Sequence, residues 1–225
     1  DDPEKFLAFM PDLVLVRPMI DNGYPRLMSR LEKSGITVVS LQPCGINEMY
    51  DYWLKLGVLT GKDLQAQKMM LDFKKKIHHI KTKTLKIQVK KKVYFQAIHT
   101  RMKTFTQGAM PIFALETAGG INVAWDAKPS RNTNIAVYGK EQILAKGPQI
   151  DVFLSQKGVM NAVSIKQIKN EPGFGVIKAV KNNQIYLIDE NIVSRPVPRL
   201  YKGIIAIGTI LYPDIFNQLK LTKEL

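Results

Sequence analysis

The chain has 225 residues, and its hydrophobic content of 45% excludes an intrinsically disordered protein. Its one cysteine, Cys44, excludes an internal disulfide and a zinc site built from cysteine side chains. The formal net charge of +14 is compatible with an anionic partner, and the apolar content suffices for one large domain or two small ones.

The N-terminal part of the chain alternates helical and strand-like segments. We predict a helix before Pro11, a buried strand over residues 13–17, a helix over residues 24–34 that ends at Gly35, and a strand over residues 36–41. A strand, a short helix and a second strand in this order are typical of a parallel βαβ crossover. The first part of the chain is therefore predicted to be α/β.

A much longer helical pattern follows in the middle of the chain. A helix over residues 46–56 is predicted to end at Gly57, and apolar residues then recur at helical spacing from about Thr60 to about Lys81. A helix of that length measures about 30 Å. We expect it to connect two α/β halves rigidly.

The second half of the chain repeats the α/β pattern. The predicted strands cover residues 92–98, 150–154 and 184–188, and the predicted helices cover residues 111–118, 138–146 and 198–211. A helix-proline-strand phrase, Glu-x-apolar-Leu-Ala-x-x-Pro, begins at Glu4 and again at Glu141. Two copies favour two similar lobes with a cleft between them, although any parallel-sheet protein can contain this phrase.

The positive charge is concentrated between the two halves. Residues 74–92 contain nine lysines, two histidines and no acidic residue. Binding to nucleic acid or to a membrane surface is one interpretation. We favour the solvated face of a long helix followed by a basic loop, because the lysines flank apolar positions at helical spacing and no arginine or aromatic residue interrupts them.

Six short segments occur along the chain in an order that a known family shares. They are residues 6–14, residues 31–39, the Leu-Gly-x-x-Thr-Gly of residues 56–61, the Ala-Gly-Gly-x-Asn-Val-Ala of residues 118–124, the Ala-Val-Lys-Asn of residues 179–182 and the Arg-Pro-x-Pro-Arg of residues 195–199. With these segments the chain resembles the helical-backbone (class III) periplasmic solute-binding proteins of ABC importers. The resemblance implies an α/β fold with two lobes of parallel-type sheets, joined by one long backbone α-helix.

The same resemblance implies a binding protein rather than an enzyme. Such a protein captures a metal chelate in the inter-lobe cleft and delivers it to an ABC permease dimer in the membrane, with no further cofactor. We expect a ferric siderophore, with haem, cobalamin and a molybdate-type oxyanion as alternatives. The expected location is the periplasm or an anchored position on the outer face of the cell membrane.

The resemblance also implies how the chain is divided. Members of the family have opening strands before the first matching segment, so we expect the N-terminal lobe to be incomplete here. The expected parts are a partial N-terminal lobe over residues 1–59, a backbone helix with a basic linker over residues 60–88, and a C-terminal lobe over residues 89–225.

Candidate ligand-binding residues follow the predicted strands, at the ends where parallel sheets bind ligands. They are Arg17, His99, Arg101 and Arg195. Because the planar guanidinium group pairs with carboxylate, catecholate and oxyanion groups, the arginines favour an anionic ligand. Trp125 can stack on a flat chelate or macrocycle, or it can pack at the edge of the core.

Glu141, at the start of the second copy of the phrase, corresponds by resemblance to the acidic residue that docks the second lobe on the permease. The corresponding place in the first lobe falls on Pro25, and Asp21 or Glu32 is a substitute. We predict no metal site made of side chains alone, because His78 and His79 are adjacent on a helix and face different sides.

Another class of protein is compatible with the fold alone. A cytosolic α/β protein that binds nucleotides or nucleic acid is the alternative hypothesis. The sequence lacks Gly-x-Gly-x-x-Gly, P-loop and Gly-x-Ser-x-Gly motifs, which gives an enzymatic hypothesis little support. Salt-sensitive DNA binding without sequence preference would favour this alternative over the importer hypothesis.

Overall fold

The computed structural model describes residues 3–130 and 133–221, and the chain forms two compact units. The first unit ends at Pro43 and the second begins at Cys44. Each unit combines helices with a parallel strand pair, which establishes the predicted α/β class.

The first unit is a small βαβ arrangement. Its elements are α1 (Pro3–Phe9), β1 (Leu13–Val16), α2 (Pro18–Gly23), α3 (Pro25–Lys33) and β2 (Thr37–Ser40). The strands β1 and β2 are parallel, as predicted. Gly35 follows α3 with a φ of +81°, a left-handed conformation that favours glycine. The strand β1 is less buried than expected, because Leu15 is 44% exposed.

The second unit contains the long helix and the larger sheet. Its elements are α4 (Ile46–Leu59), α5 (Asp63–Thr84), β3 (Lys92–Ile98), β4 (Lys103–Phe105), α6 (Met110–Thr117), β5 (Ile121–Asn122), β6 (Ile135–Val137), α7 (Lys140–Lys146), β7 (Val152–Lys157), α8 (Ile165–Lys169), α9 (Lys178–Lys181), β8 (Ile185–Asp189), α10 (Glu190–Val193), α11 (Leu200–Leu211) and α12 (Pro213–Leu221).

The sheet of the second unit is mixed rather than parallel throughout. Its strand order is β6-β4-β3-β7-β8, and β5 pairs with β3. The strands β3, β5, β7 and β8 are parallel, whereas β4 runs antiparallel to both of its neighbours, β3 and β6. The sheet is therefore parallel over β3, β5, β7 and β8, and the antiparallel pairings of β4 were not predicted from the sequence. The strands β4 and β6 have three residues each, which is too short for a periodic pattern.

Helices cover both faces of this sheet. Along β3, Phe95 and Ala97 face one apolar cluster and Tyr94 faces the other. Along β7, Leu154 faces the same apolar cluster as Phe95, and Phe153 faces the same cluster as Tyr94. Strands that are buried on both faces have continuous apolar sequences, which explains why their positions were predictable.

The long helix α5 packs with one face against the rest of the second unit. Phe73, Ile77 and Ile80 are buried there, and the Phe73 ring meets the Trp53 ring edge-on with 5.1 Å between centroids. We predicted a first lobe of residues 1–59 and a separate helical part over residues 60–88. The boundary between the two compact units falls after Pro43, and α4 and α5 pack against each other within the second unit.

We predicted that the helix over residues 46–56 ends at Gly57. In the structure Gly57 lies inside α4. A Cβ atom at residue 57 would lie 2.5 Å from the Cβ atom of Ala66 on α5. Glycine is therefore needed because the two helices approach closely at this point.

We expect Gly57→Val to lower the free energy of unfolding by about 2 kcal/mol, because the added side chain must push α4 and α5 apart. Chemical denaturation measures this change. Gly175→Val is the control, since a Cβ atom at residue 175 would meet nothing within 4 Å. Equal losses in the two variants would contradict the close approach of the helices.

Among the described residues, no helix combines the length and the apolar character that are required to cross a bilayer.

Candidate functional site

The candidate functional site lies at one edge of the larger sheet. The strands β3, β7 and β8 are parallel neighbours, so their carboxyl ends meet at this edge. We call the segments that follow them, residues 99–101, residues 158–161 and residues 190–195, the carboxyl edge. Ligands of open α/β sheets bind outside the carboxyl ends of the strands.

Asn161 holds two of these segments together. Its side-chain oxygen accepts a hydrogen bond from the backbone N–H of His99 at 2.9 Å. Its side-chain nitrogen donates to the carbonyl of Gln156 at 2.6 Å and to the Ser155 hydroxyl at 3.1 Å. Because Asn161 is 4% exposed, these bonds fix the loop after β7 against the end of β3.

That loop presents apolar side chains to solvent. Gly158 and Asn161 exchange two backbone hydrogen bonds, which close a tight turn. Val159 and Met160, at the tip of the turn, are 95% and 63% exposed. The carboxyl edge therefore offers apolar contacts beside its polar groups.

His99 is buried in a polar network with Gln96 and Glu171. Its Nδ1 lies 3.1 Å from Oε1 of Gln96, and its Nε2 lies 3.5 Å from a carboxylate oxygen of Glu171. Glu171 also forms an ion pair with Lys140. Burial lowers the pKa of His99 below its ordinary value of 6.5, and Glu171 opposes this shift only in part because Lys140 acts in the same direction as burial.

His99 is expected to make the stability of the protein depend on pH. Because its pKa is lower in the folded state, the unfolded chain binds more protons between the two pKa values. The stability that neutral His99 contributes is complete at pH values above 6.5, its ordinary pKa. It is lost as the pH falls toward the pKa of His99 in the folded state.

We therefore expect His99→Gln to show a smaller drop in Tm than the parent protein between about pH 7.5 and about pH 5.5. Thermal unfolding at the two pH values measures the difference. His78→Gln, at an exposed position on α5, is the control and should keep the parent's dependence. An unchanged slope in His99→Gln would contradict the assignment.

Arg195 follows β8 and pairs with a buried acid. Its guanidinium group lies 3.4 Å from a carboxylate oxygen of Glu190, whose side chain is 6% exposed. A Cβ atom at residue 158 would lie 2.1 Å from the carboxylate carbon of Glu190, so the glycine there allows β7 to end against this carboxylate. Arg195 is thus at the predicted edge, but Glu190 offsets its charge.

A cavity of about 580 Å³ opens beside His99. The 3₁₀ turn after β3 and the start of α8 form its walls. Lining residues include His99, Met102, Ser164, Lys166, Asn170 and Glu171. The volume is in the range of small-molecule sites, and the lining alternates polar, charged and apolar groups as such sites do.

The other predicted site residues have different surroundings. Arg101 is exposed at the end of β3 and forms no hydrogen bond or ion pair with the described residues. Arg17 belongs to the first unit, where it is exposed directly after β1. Glu141 is exposed in the first turn of α7. The structure thus brings His99, Arg101 and Arg195 to one sheet edge of the second unit. The other three candidates are Glu141 and Trp125 of the second unit and Arg17 of the first.

Trp125 does not line the cavity beside His99. Its ring contacts the amino group of Lys146, 5.4 Å from the ring centroid, and Lys146 also pairs with Asp126 at 3.1 Å. Trp125 is 69% exposed, so its ring is accessible to solvent.

Several residues of the polar network around His99 and Arg195 were not predicted from the sequence. They are Gln96, Lys140, Ser155, Gln156, Asn161, Glu171 and Glu190. One signal was available for three of them, because Gln96, Ser155 and Gln156 interrupt or end apolar strands that are buried on both faces. A polar residue within such a strand indicates a polar network at that depth.

The described residues contain no group of three or more His, Cys, Asp and Glu side chains that could hold a metal ion. Arg101 and the exposed Lys166 are cations at this site without an acidic partner among the described residues. Lys140 and Arg195 are each paired with a carboxylate. The uncompensated charge at the site is therefore positive and suits an anionic group on a ligand.

Comparison with known proteins places this arrangement in context. A family model described as periplasmic binding protein matches residues 2–192. The vitamin B12-binding protein of Vibrio cholerae serotype O1 is 25% identical over 209 residues, which are 92% of this chain and 71% of that protein. The uncharacterized ABC transporter substrate-binding lipoprotein YvrC of Bacillus subtilis (strain 168) is 25% identical over an alignment of 224 residues, which covers 96% of this chain and 66% of that protein.

A solved structure shares both the fold and part of the sequence. It is the crystal structure of "a possible an iron-binding (periplasmic solute-binding) protein" from Staphylococcus epidermidis ATCC 12228, with a TM-score of 0.79 and 26% identity. The match covers 94% of this chain and 80% of that one. The two lines of comparison agree on the same class of fold.

Proposed function

Because this chain belongs to the periplasmic binding protein family, we propose that it is the substrate-binding component of an ABC import system that captures a metal chelate. The family consists of solute-binding proteins rather than enzymes, so capture and release are the whole of its chemistry. The bound solute is delivered to a permease dimer in the membrane.

The carboxyl edge of the second unit is the observation that supports this proposal. It combines a buried polar network, a cavity of about 580 Å³ and the unpaired cation Arg101. Rigid side chains around a preformed cavity suit capture of a solute, because little conformational entropy is lost on binding. No covalent step is required of any of these residues.

We propose a ferric siderophore with anionic groups as the ligand. Arg101 and Lys166 would pair with its carboxylate or catecholate oxygens, and Val159 and Met160 would contact its apolar part. Arg17, in the first unit, is a further proposed contact of the same chemistry. Cobalamin is the second candidate, supported by the likeness to the vitamin B12-binding protein of Vibrio cholerae.

Delivery requires an acidic contact on the binding protein. Glu141 is exposed and makes no ion pair with the described residues, so it is available to a cationic residue of the permease. We propose the outer face of the cell membrane as the location, either periplasmic or anchored by a lipid.

Titration with a panel of ligands tests the proposed function. The panel contains a ferric catecholate, a ferric hydroxamate, haem, cobalamin and molybdate, and native mass spectrometry measures stoichiometry and affinity. We expect one ferric chelate to bind one-to-one with the highest affinity. Preferential binding of cobalamin would replace the iron chelate as the ligand, and failure of every compound to bind would refute the proposal.

We expect Arg101→Ala to weaken binding of the ferric chelate by at least about tenfold, because the variant removes an unpaired cation from the site. Stability should not change, since Arg101 forms no ion pair with any acidic residue in the described part of the chain. Arg30→Ala, at an exposed position on α3, is the control with the same loss of charge. Equal affinities in the two variants would remove Arg101 from the site.

A further inference from the structure

A second cavity lies between two helices of the second unit. It has a volume of about 550 Å³ and lies between α5 and the start of α11. None of its lining residues belongs to the carboxyl edge. We call it the helix cavity. Its volume falls in the range that small-molecule sites occupy.

The walls of the helix cavity are largely apolar. Met69 and the buried Phe73 line it from α5, and Pro198 and Tyr201 line it from the start of α11. Apolar walls of this kind attract the hydrocarbon part of a ligand, because binding removes apolar surface of both partners from water.

Tyr201 adds a hydrogen-bond donor without a partner. Its hydroxyl oxygen is buried and makes no hydrogen bond with the described residues. Burial raises the pKa of Tyr201 to about 12, so the hydroxyl keeps its proton at neutral pH. A buried donor without a partner is costly, and a ligand that supplies an acceptor atom would remove that cost.

The rim of the helix cavity is positively charged. Lys68, Lys76, Arg199 and Lys202 line it together with one acid, Asp72, which pairs with Lys68 at 2.8 Å. The amino group of Lys76 lies 5.1 Å from the centroid of the Tyr201 ring. The excess of cations favours a ligand with a negative head group near the tyrosine.

We propose that the helix cavity binds a small organic anion with an apolar body, of the acyl or aryl carboxylate class. The apolar body lies against Met69 and Phe73. The anionic head accepts a hydrogen bond from Tyr201 and lies close to Lys76. The proposal is independent of the solute at the carboxyl edge, since it uses none of the same residues.

The probe for this site is 8-anilinonaphthalene-1-sulfonate, whose fluorescence rises when it leaves water. We expect saturable binding to a single site. Decanoate should displace the probe at lower concentration than the uncharged decanol, because only decanoate has a charged head for the cationic rim. Absence of saturable binding, or equal displacement by the two competitors, would overturn the proposal.

Two neighbouring lysines of α5 provide a matched pair of variants. Lys76→Glu is expected to weaken probe binding at least about fivefold, because Lys76 lines the helix cavity. Lys75→Glu changes the net charge equally but does not line this cavity, so it should change binding less than about twofold. Equal weakening by both variants would show general attraction by net charge and would refute the site.

Tyr201→Phe separates a binding role from a structural one. Removal of an unpartnered hydroxyl should leave the thermal stability of the free protein unchanged or raised. The same variant should weaken decanoate binding by about threefold or more, because the donor to the anionic head is lost. A destabilised free protein with unchanged decanoate affinity would contradict the proposal.

Discussion

Asn161→Ala is expected to lower the free energy of unfolding by about 3 kcal/mol. The substitution removes one hydrogen-bond partner from each of the backbone N–H of His99, the carbonyl of Gln156 and the hydroxyl of Ser155. The Ser155 hydroxyl keeps its hydrogen bond to Gln96. All three residues are buried, so water cannot replace the lost bonds without opening the structure. Chemical denaturation gives the change in unfolding free energy.

Two further variants distinguish this explanation from a general effect of asparagine substitution. Asn182→Ala removes an exposed asparagine at the end of α9 and should cost less than about 0.5 kcal/mol. Asn161→Asp keeps the acceptor for His99 but replaces the donor toward Gln156 by a second acceptor, so it should not restore stability. A stable Asn161→Ala protein would show that the network does not fix the carboxyl edge.

Arg195→Ala is expected to weaken binding of the ferric chelate by at least about tenfold, equivalent to about 1.4 kcal/mol. It should also lower the free energy of unfolding by about 1–2 kcal/mol, because Glu190 then lies buried without its cation. Native mass spectrometry and chemical denaturation measure the two effects.

Arg195→Lys provides the control for this prediction. Lysine keeps the positive charge beside Glu190 but lacks the planar fork, so it should recover most of the stability and less of the affinity. Unchanged affinity in Arg195→Ala would mean that Arg195 only compensates the charge of Glu190.

Sequence reasoning predicted the larger elements well. The strand β3 was predicted with its observed bounds, and α5 has 22 residues within a few positions of the predicted range. Both segments show strong local signals, a continuous apolar run in one and an apolar stripe at helical spacing in the other. The prediction for Gly57 was wrong because its cause, the approach of Ala66 from another helix, is not local in sequence.

The candidate site was predictable only in part. Residues that directly follow strands, such as His99 and Arg195, can be found because strand ends of a parallel sheet converge. Glu171 and Lys140 come from other segments of the chain, and their contact with each other and with His99 depends on tertiary packing. The same limit applies to the partnership of Arg195 with Glu190.

The lysine-rich segment has a structural explanation. Lys74, Lys76 and Lys81 on α5 each lie over an aromatic ring, those of Tyr50, Tyr201 and Phe113, at 4.5–5.5 Å from the ring centroid. Contacts of this kind stabilise a helix on an aromatic surface. They support the interpretation of this segment as the solvated face of a helix rather than as a nucleic-acid site.

Hydrogen–deuterium exchange in the presence of the ferric chelate tests the central claim most directly. We predict that saturating chelate slows exchange of backbone amides in the three segments of the carboxyl edge, residues 99–101, residues 158–161 and residues 190–195. Proven binding of the chelate with unchanged exchange in all three segments would contradict the account, because the ligand would then occupy another surface.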